Sequence, residues 1–267
     1  MMHNKDEARL RFDKAKEIIR EAGDLALSYF QKLSTLEIET KANGQDVVSI
    51  ADRDVERLIR QRLSAAFPDD GFLGEEYGLA EGSSDYCWVI DPIDGTSCFL
   101  HDTPTWCVAI ALVHGRETLA GLIFDPNRNE LFAALSDNCV EMNGRSISVD
   151  HATDLQHGLT SVGANGRIPP RMISTFIENL LQEGGMFVRS GSGALSLVHV
   201  ACGRLVAYYE PHMNAWDCLA AQCIIREAGG WANDFLSEGD MIHGGPVIGC
   251  APQLRGDILR LLEITAK

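Results

Sequence analysis

Residues 88–99 read WVIDPIDGTSCF, with two carboxylates, Asp91 and Asp94, followed directly by Gly95 and Thr96. Trp88, Val89 and Ile90 end an apolar strand, so both acids fall where a buried strand empties into a loop. In an α/β protein, ligands gather at that end of a strand. Two acids so close repel each other and resist burial unless a positive charge lies between them. A divalent cation that takes oxygen ligands, as magnesium does, resolves the conflict. A plain Asp-Pro/Asp-Gly turn accounts for the same residues without chemistry, because these are common turn formers.

Three separate segments offer carboxylates in turn-like positions. Gly74-Glu75-Glu76 follows a predicted helix, Asp91 and Asp94 follow the strand, and Asp217 lies in the first turn of a helix beginning at Trp216. Each has a plainer reading. Glu75 and Glu76 also read as solvated loop charges. Asp217 also reads as an acid that favours a helix N-terminus. Ser49-x-x-Asp52 resembles a capping box with Asp in place of Glu. The chain has no GxSxG, HExxH or P-loop, and Gly191-Ser192-Gly193 is too short for a dinucleotide fingerprint. An aspartyl-phosphate enzyme would need a second Asp two residues before Asp94, where Pro92 stands. Hydrolysis here would therefore use water as nucleophile and a metal as its activator.

The elements that must position these residues follow from periodicity. Residues 5–33 predict an amphipathic helix with Leu10, Ala15, Ile18, Ile19, Ala22, Leu25, Ala26, Tyr29 and Leu33 on one stripe. A short strand is expected at 36–41 and a second helix from Ser49, with Val55, Leu58, Ile59 and Leu63 inward. Strands are expected at 86–90, 106–113, 118–124 and 130–135, with a hairpin turn at Asn143-Gly144. The second half alternates: helix 171–183, strand 186–189, helix 192–203, strand 204–209, helix 216–228 stopped by Gly229-Gly230. A mixed-sheet α/β chain results, with helices covering the sheet faces. A soft boundary near 150–160 divides residues 1–150, with most of the acids, from residues 151–267, with Asp217.

The 267 residues are enough for one large domain or two intimate subdomains, and the balance of 45% hydrophobic and 23% charged residues is ordinary for a globular protein. No apolar run is long enough to span a bilayer, and MMHNKDEARLRF carries no apolar signal core, so a cytoplasmic protein is expected. Eight cysteines form no CxxC pair and read as small buried hydrophobes. A net charge of −15 argues against nucleic-acid or anionic-membrane partners. Bound cations would reconcile that charge with a phosphate-bearing substrate.

The sequence resembles the inositol monophosphatase family of lithium-sensitive, magnesium-dependent phosphatases. The resemblance rests on Lys41 with Asp46-Val47-Val48-Ser49-x-x-Asp52, Gly74-Glu75-Glu76, Asp91-Pro92-Ile93-Asp94-Gly95-Thr96, and Trp216-Asp217 with Glu227-Ala228-Gly229-Gly230. It implies a layered α-β-α-β-α sandwich and two to three Mg²⁺ ions. By resemblance, Glu75, Asp91 and the Ile93 carbonyl hold the first ion. Asp91, Asp94 and Asp217 hold the second, and Glu76 reaches a third. Thr96 and Glu75 orient the attacking water, Asp94 belongs to the catalytic set, and the Gly95 and Thr96 amides cradle the phosphate. Lys41 and Asp52 match outer-shell positions. A homodimer and lithium inhibition are also implied.

The substrate expected from the resemblance is a small phosphate monoester, first of all myo-inositol monophosphate. Histidinol phosphate, a 3′(2′),5′-bisphosphate nucleotide and fructose 1,6-bisphosphate are the alternatives. No basic cluster is visible in the sequence to hold a second phosphate. Glu210, seven residues before Asp217, matches the position that contacts a substrate hydroxyl, and it also reads as a solvated strand-end acid. Ser192 and Gly193 match the loop lining the substrate ring, Asp94 is a further substrate contact, and His212, Asn214 and Arg189 are candidates. Ser97-Cys98 after the Asp-Gly-Thr, and Thr103-Pro104 in the next segment, depart from the usual family pattern. A non-catalytic binding protein on the same fold is the alternative of a different class.

Overall fold

The computed structural model describes residues 5–32, 38–40, 47–136, 139–238 and 241–265. Lys41, Asp46 and the side chain of Ser49 lie outside what is described, as does Leu33.

Helices α1 (Lys5–Phe30) and α2 (Ile50–Ala66) flank a two-stranded ribbon, β1 (Ile38–Thr40) and β2 (Val47–Ser49). In α1 the buried stripe is Ala8, Phe12, Ala15, Ile18, Ile19, Ala22 and Ala26. Leu10, expected inside, is 63% exposed. At 100° per residue it points nearly opposite to Ala8 and Phe12, and the larger ring takes the core side. The inward Val55, Ile59 and Leu63 of α2 are as expected.

Next come β3 (Gly71–Gly74), β4 (Gly78–Ala80), β5 (Tyr86–Asp94), α3 (Thr96–Leu100), β6 (Cys107–His114), β7 (Glu117–Asp125), β8 (Glu130–Leu135), β9 (Cys139–Met142) and β10 (Arg145–Ser146). The strands form an eight-stranded sheet in the order β10-β9-β8-β7-β6-β5-β3-β4, antiparallel except where β3 runs parallel to β5. The chain continues through β11 (Leu159–Val162), α4 (Pro170–Gln182), β12 (Met186–Val188), α5 (Gly193–Ala201), β13 (Ala207–Met213), α6 (Ala215–Glu227), β14 (Trp231–Ala232), α7 (Phe235–Glu238), β15 (Gly245–Cys250) and α8 (Arg255–Thr265). The second sheet has the order β12-β11-β13-β15-β14 and mixes parallel and antiparallel pairs.

The period-2 alternation of strands sorts the layers. On β6, Val108, Ile110 and Leu112 pack with α1 and α2, while Ala109, Ala111 and Val113 pack with α5 and α6. On β13, Tyr208 faces α5 and α6 while Ala207 and Tyr209 face α4 and α8. The result is α1/α2, sheet, α5/α6, sheet, α4/α8, the five layers expected. The middle layer sits tight: a Cβ on Gly121 of β7 would lie 2.1 Å from the Ala220 carbonyl oxygen of α6. All eight cysteines are free thiols.

Candidate active site

The apolar strand does not end at Ile90. β5 runs on to Asp94, and the expected loop is replaced by a register shift against β6, where Asp91 pairs with Ala109 and Asp94 with Cys107. Three steps on β5 thus match two on β6. Pro92 has no N–H to continue the ladder, so the strand bulges there. An odd spacing would normally send Asp91 and Asp94 to opposite faces. The bulge lets them converge.

Asp217 arrives from the other half of the chain, in the first turn of α6. The backbone N–H and Nδ2 of Asn214 donate to its Oδ2 at 2.8 and 3.2 Å. The helix-start reading and the functional reading therefore coincide: the cap fixes where the carboxylate points. One oxygen from each of Asp91, Asp94 and Asp217 lies within 4.8 Å of the others. Asp91 is 1% exposed and Asp94 9%. Burial pushes the Asp91 carboxyl well above its ordinary value, and repulsion from Glu75, Asp94, Asp217 and Asp52 adds to it. Burial also raises Asp94 to about 6, against hydrogen bonds from Ser192 and Ala194. Asp217 rises to about 7, through burial and then the charge of Asp94. Three mutually repelling carboxylates, Asp91 and Asp94 buried and Asp217 half-buried, form an all-oxygen donor set, which fits a hard divalent cation.

Asp94 and Asp217 open into a cleft of about 610 Å³ that is also lined by Glu75, Thr96, Ser192 and Glu210. Gly95 and Gly193 line it as well. Thr96 Oγ1 donates to the Ile93 carbonyl at 3.0 Å, which joins the hydroxyl to the bulge. Gly95 starts α3 with φ +95°, and a Cβ there would meet the Thr105 carbonyl oxygen at 2.8 Å, so glycine is required on both counts. Asp52 is buried in the first turn of α2. Glu76 is half-buried on the turn after β3 and does not line the cleft.

Glu210 is not a strand-end acid, because β13 continues to Met213. Its Oε2 accepts from the Tyr208 hydroxyl at 2.5 Å and its Oε1 from Asn165 Nδ2 at 3.0 Å. Asn165 also donates to the His212 carbonyl at 2.7 Å. Neither Tyr208 nor Asn165 was expected at the site. The pair Tyr208 and Glu210, two apart on one strand, carried the signal; Asn165 carried none. Two cations, Arg167 and Arg189, also reach the cleft. They stand 22 residues apart in sequence, so no basic cluster shows there. Arg189 donates to the Ala164 carbonyl at 3.0 Å, and Arg167 to Asn214 Oδ1 at 2.8 Å. His212 lines the cleft with Nε2 3.0 Å from the His243 carbonyl oxygen.

A model of the inositol monophosphatase family matches residues 9–265. The chain belongs to the inositol monophosphatase family. Within that family it is 41% identical over 218 residues to the protein named Nus factor SuhB of Xylella fastidiosa, covering 81% of this chain and 78% of that one. It is 36% identical to an inositol-1-monophosphatase of Mesorhizobium japonicum, covering 82% of this chain and 83% of that one. The fold matches the crystal structure of the extragenic suppressor protein suhB of Bartonella henselae with a TM-score of 0.87 at 30% identity, over 94% and 97% of the two chains. It matches a Thermotoga maritima IMPase with a TM-score of 0.85 at 26% identity, over 96% and 98%. Members of the family thus include proteins named for phosphatase activity and proteins named Nus factor. No helix among the described residues is long and apolar enough to cross a membrane.

Proposed function

We propose that the chain is a magnesium-dependent phosphatase that releases phosphate from a small phosphate monoester, with myo-inositol monophosphate as first choice. The observation that carries this reading is the convergence of Asp91, Asp94 and Asp217 within 4.8 Å at a polar cleft. In this reading Glu75, Asp91 and the Ile93 carbonyl hold one magnesium, Asp91, Asp94 and Asp217 a second, and Glu76 a third. Bound there, the ions lower the pKa of a coordinated water and offset charge on the phosphate and the leaving oxygen. The chain's own groups do the rest. Thr96 and Glu75 orient the attacking water, and Glu75 takes its proton. The Gly95 and Thr96 amides face the phosphate. Pro92 occupies the place an aspartyl nucleophile would need, so water attacks directly and no phosphoenzyme forms. Glu210 accepts a hydrogen bond from a hydroxyl of the leaving alcohol, and Ser192 and Gly193 line its ring.

The same reading takes residues 1–150 and 151–267 as two subdomains of one catalytic unit. The end of the first sheet at Ser146 and the start of the second at Leu159 support that division. A cytoplasmic homodimer inhibited by lithium completes it. Relatives named Nus factor SuhB support a second reading, in which the chain acts by binding another macromolecule. Purified protein with magnesium and a panel of inositol, histidinol, nucleotide and fructose phosphates tests both. Phosphate release from a polyol monophosphate is expected; release from no ester in the panel favours the binding protein.

A further inference from the structure

Glu56 sits mid-helix in α2 and is fully buried. A buried carboxylate persists only where its lone pairs are met. Its Oε2 accepts from the backbone N–H of Glu76 at 2.7 Å, and its Oε1 from the N–H of Tyr77 at 3.3 Å and from Arg60 Nε at 2.7 Å. Arg60 in turn donates through Nη2 to the Gly78 carbonyl at 2.5 Å. The Glu56–Arg60 pair therefore grips the turn between β3 and β4 by both its donors and its acceptor. The fit is close: a Cβ on Gly74 would lie 2.0 Å from Glu56 Oε1. Glycine precedes the two acids because the Glu56 carboxylate occupies the space beside it. On its other side the turn is tied to β5, where the Glu75 N–H donates to the Ile90 carbonyl at 3.3 Å, one residue before Asp91.

We propose that Glu56 is a positioning residue: with Arg60 it holds the Glu75–Glu76 turn in register with Asp91, so that Glu75 of the turn and Asp91 of the strand are preorganised for one divalent cation. The inference rests on the metal reading of the site. A plain helix-stabilising role would need only the i,i+4 pair with Arg60, which is worth little at an exposed position and costs desolvation at a buried one. The two amide contacts and the excluded Cβ are what a positioning role adds. Partners of this kind, one shell out from the ligands, typically change metal affinity by 10–100-fold.

The test is calorimetric titration of the full chain with Mg²⁺, together with amide hydrogen exchange at Glu76 and Tyr77. Glu56→Gln should fold, bind the cation about 10–100-fold more weakly, and exchange faster at those two amides. Gly74→Ala should weaken binding to a similar degree in the wild-type background. In a Glu56→Ala background it should add less than about twofold, because its collision partner is gone. Binding within about twofold of wild type and unchanged exchange in Glu56→Gln overturn the inference, as does an equal cost of Gly74→Ala in both backgrounds. Should Glu56→Gln not fold, Arg60→Met provides the same test, and cation binding equal to wild type then overturns it. A wild type that binds no cation overturns the metal reading itself, which separates that failure from this one.

Discussion

The backbone N–H of Ala194 donates to Asp94 Oδ2 at 2.8 Å, across 100 residues of sequence. The Ser192 hydroxyl donates to the same oxygen, and Ser192 Oγ in turn accepts from the Leu195 N–H at 3.1 Å. An acid on the first sheet is thus held by the start of a helix that packs beneath the second. An amide oxygen can still accept from both donors, though more weakly than a carboxylate, so Asp94→Asn keeps the geometry and removes the charge. Turnover of a phosphate monoester should fall about 10²–10³-fold or more. Circular dichroism should be unchanged. In chelator, the variant should melt no lower than wild type, because a carboxyl whose charged form is disfavoured by burial has been made neutral. Near-normal turnover would remove Asp94 from the chemistry.

Burial and mutual repulsion set a pH dependence for the cation-free chain. Asp217 rises to about 7 and Asp91 well above its ordinary value, so the folded state holds protons that the unfolded state has already released. Stability must then fall as pH rises through those values. Between pH 6.5 and 8 in chelator, urea unfolding should show a continuing loss, of which Asp217 alone contributes on the order of 1 kcal/mol. Saturating Mg²⁺ should flatten that slope. A stability that is constant or rising over this window without metal would mean the three acids do not raise one another's pKa in the folded chain.

His199 gives the opposite sign at lower pH. Burial lowers its pKa to about 4, and neighbouring Arg204 and Arg128 add to the effect. The folded state keeps the ring neutral while the unfolded state protonates near 6.5, so stability is lost as pH falls from about 6.5 toward 4. The full shift corresponds to about 3 kcal/mol at most. The difference between wild type and His199→Gln, followed by urea unfolding from pH 7 to 4, should carry this slope. Parallel curves would show that the ring titrates normally.

Helices α1, α2 and α4 were legible from periodicity and the acids from their motifs, while α8 was not expected. The expected short strands at 36–41 and 186–189 appear as β1 and β12, but the glycine-bearing β3 and β15 were hidden. Gly71–Gly74 and Gly245–Cys250 contain glycine and show no alternation, and they become strands through pairing with β5 and β13 rather than through their own preference. The bulge at Pro92 was equally hidden: local turn chemistry and an interrupted strand use the same residues, and only the register against β6 separates them. Glu210 was legible as an acid at the right distance from Asp217. Its orientation depends on Asn165, a loop residue 45 positions away.

Gly121 tests how the middle layer positions the site. The Ala220 carbonyl stands where its Cβ would be, three residues after Asp217 on the same helix. Gly121→Ala must push α6 away from β7, at a cost of about 1–3 kcal/mol. The displacement should reach Asp217 and weaken Mg²⁺ binding as well. A variant that melts like wild type and binds Mg²⁺ normally would show that the helix tolerates the added methyl by sliding.

Glu210→Gln separates recognition of the alcohol from hydrolysis of the phosphate. The carboxylate is turned by Tyr208 on one oxygen and Asn165 on the other, and burial raises its pKa while these two donors oppose that. Glutamine retains one oxygen for Asn165, and the Tyr208 hydroxyl can rotate to accept from the new amide N–H, so the fold should hold. What is lost is a charge-assisted hydrogen bond to a substrate hydroxyl, worth about 1.5–3 kcal/mol. For inositol monophosphate, kcat/KM should therefore fall about 10–100-fold. For p-nitrophenyl phosphate, which presents no neighbouring hydroxyl, it should change less than about threefold. An equal loss on both esters would place Glu210 in the hydrolytic machinery rather than in the choice of alcohol, and no loss on either would leave it as a partner of Tyr208 and Asn165 alone.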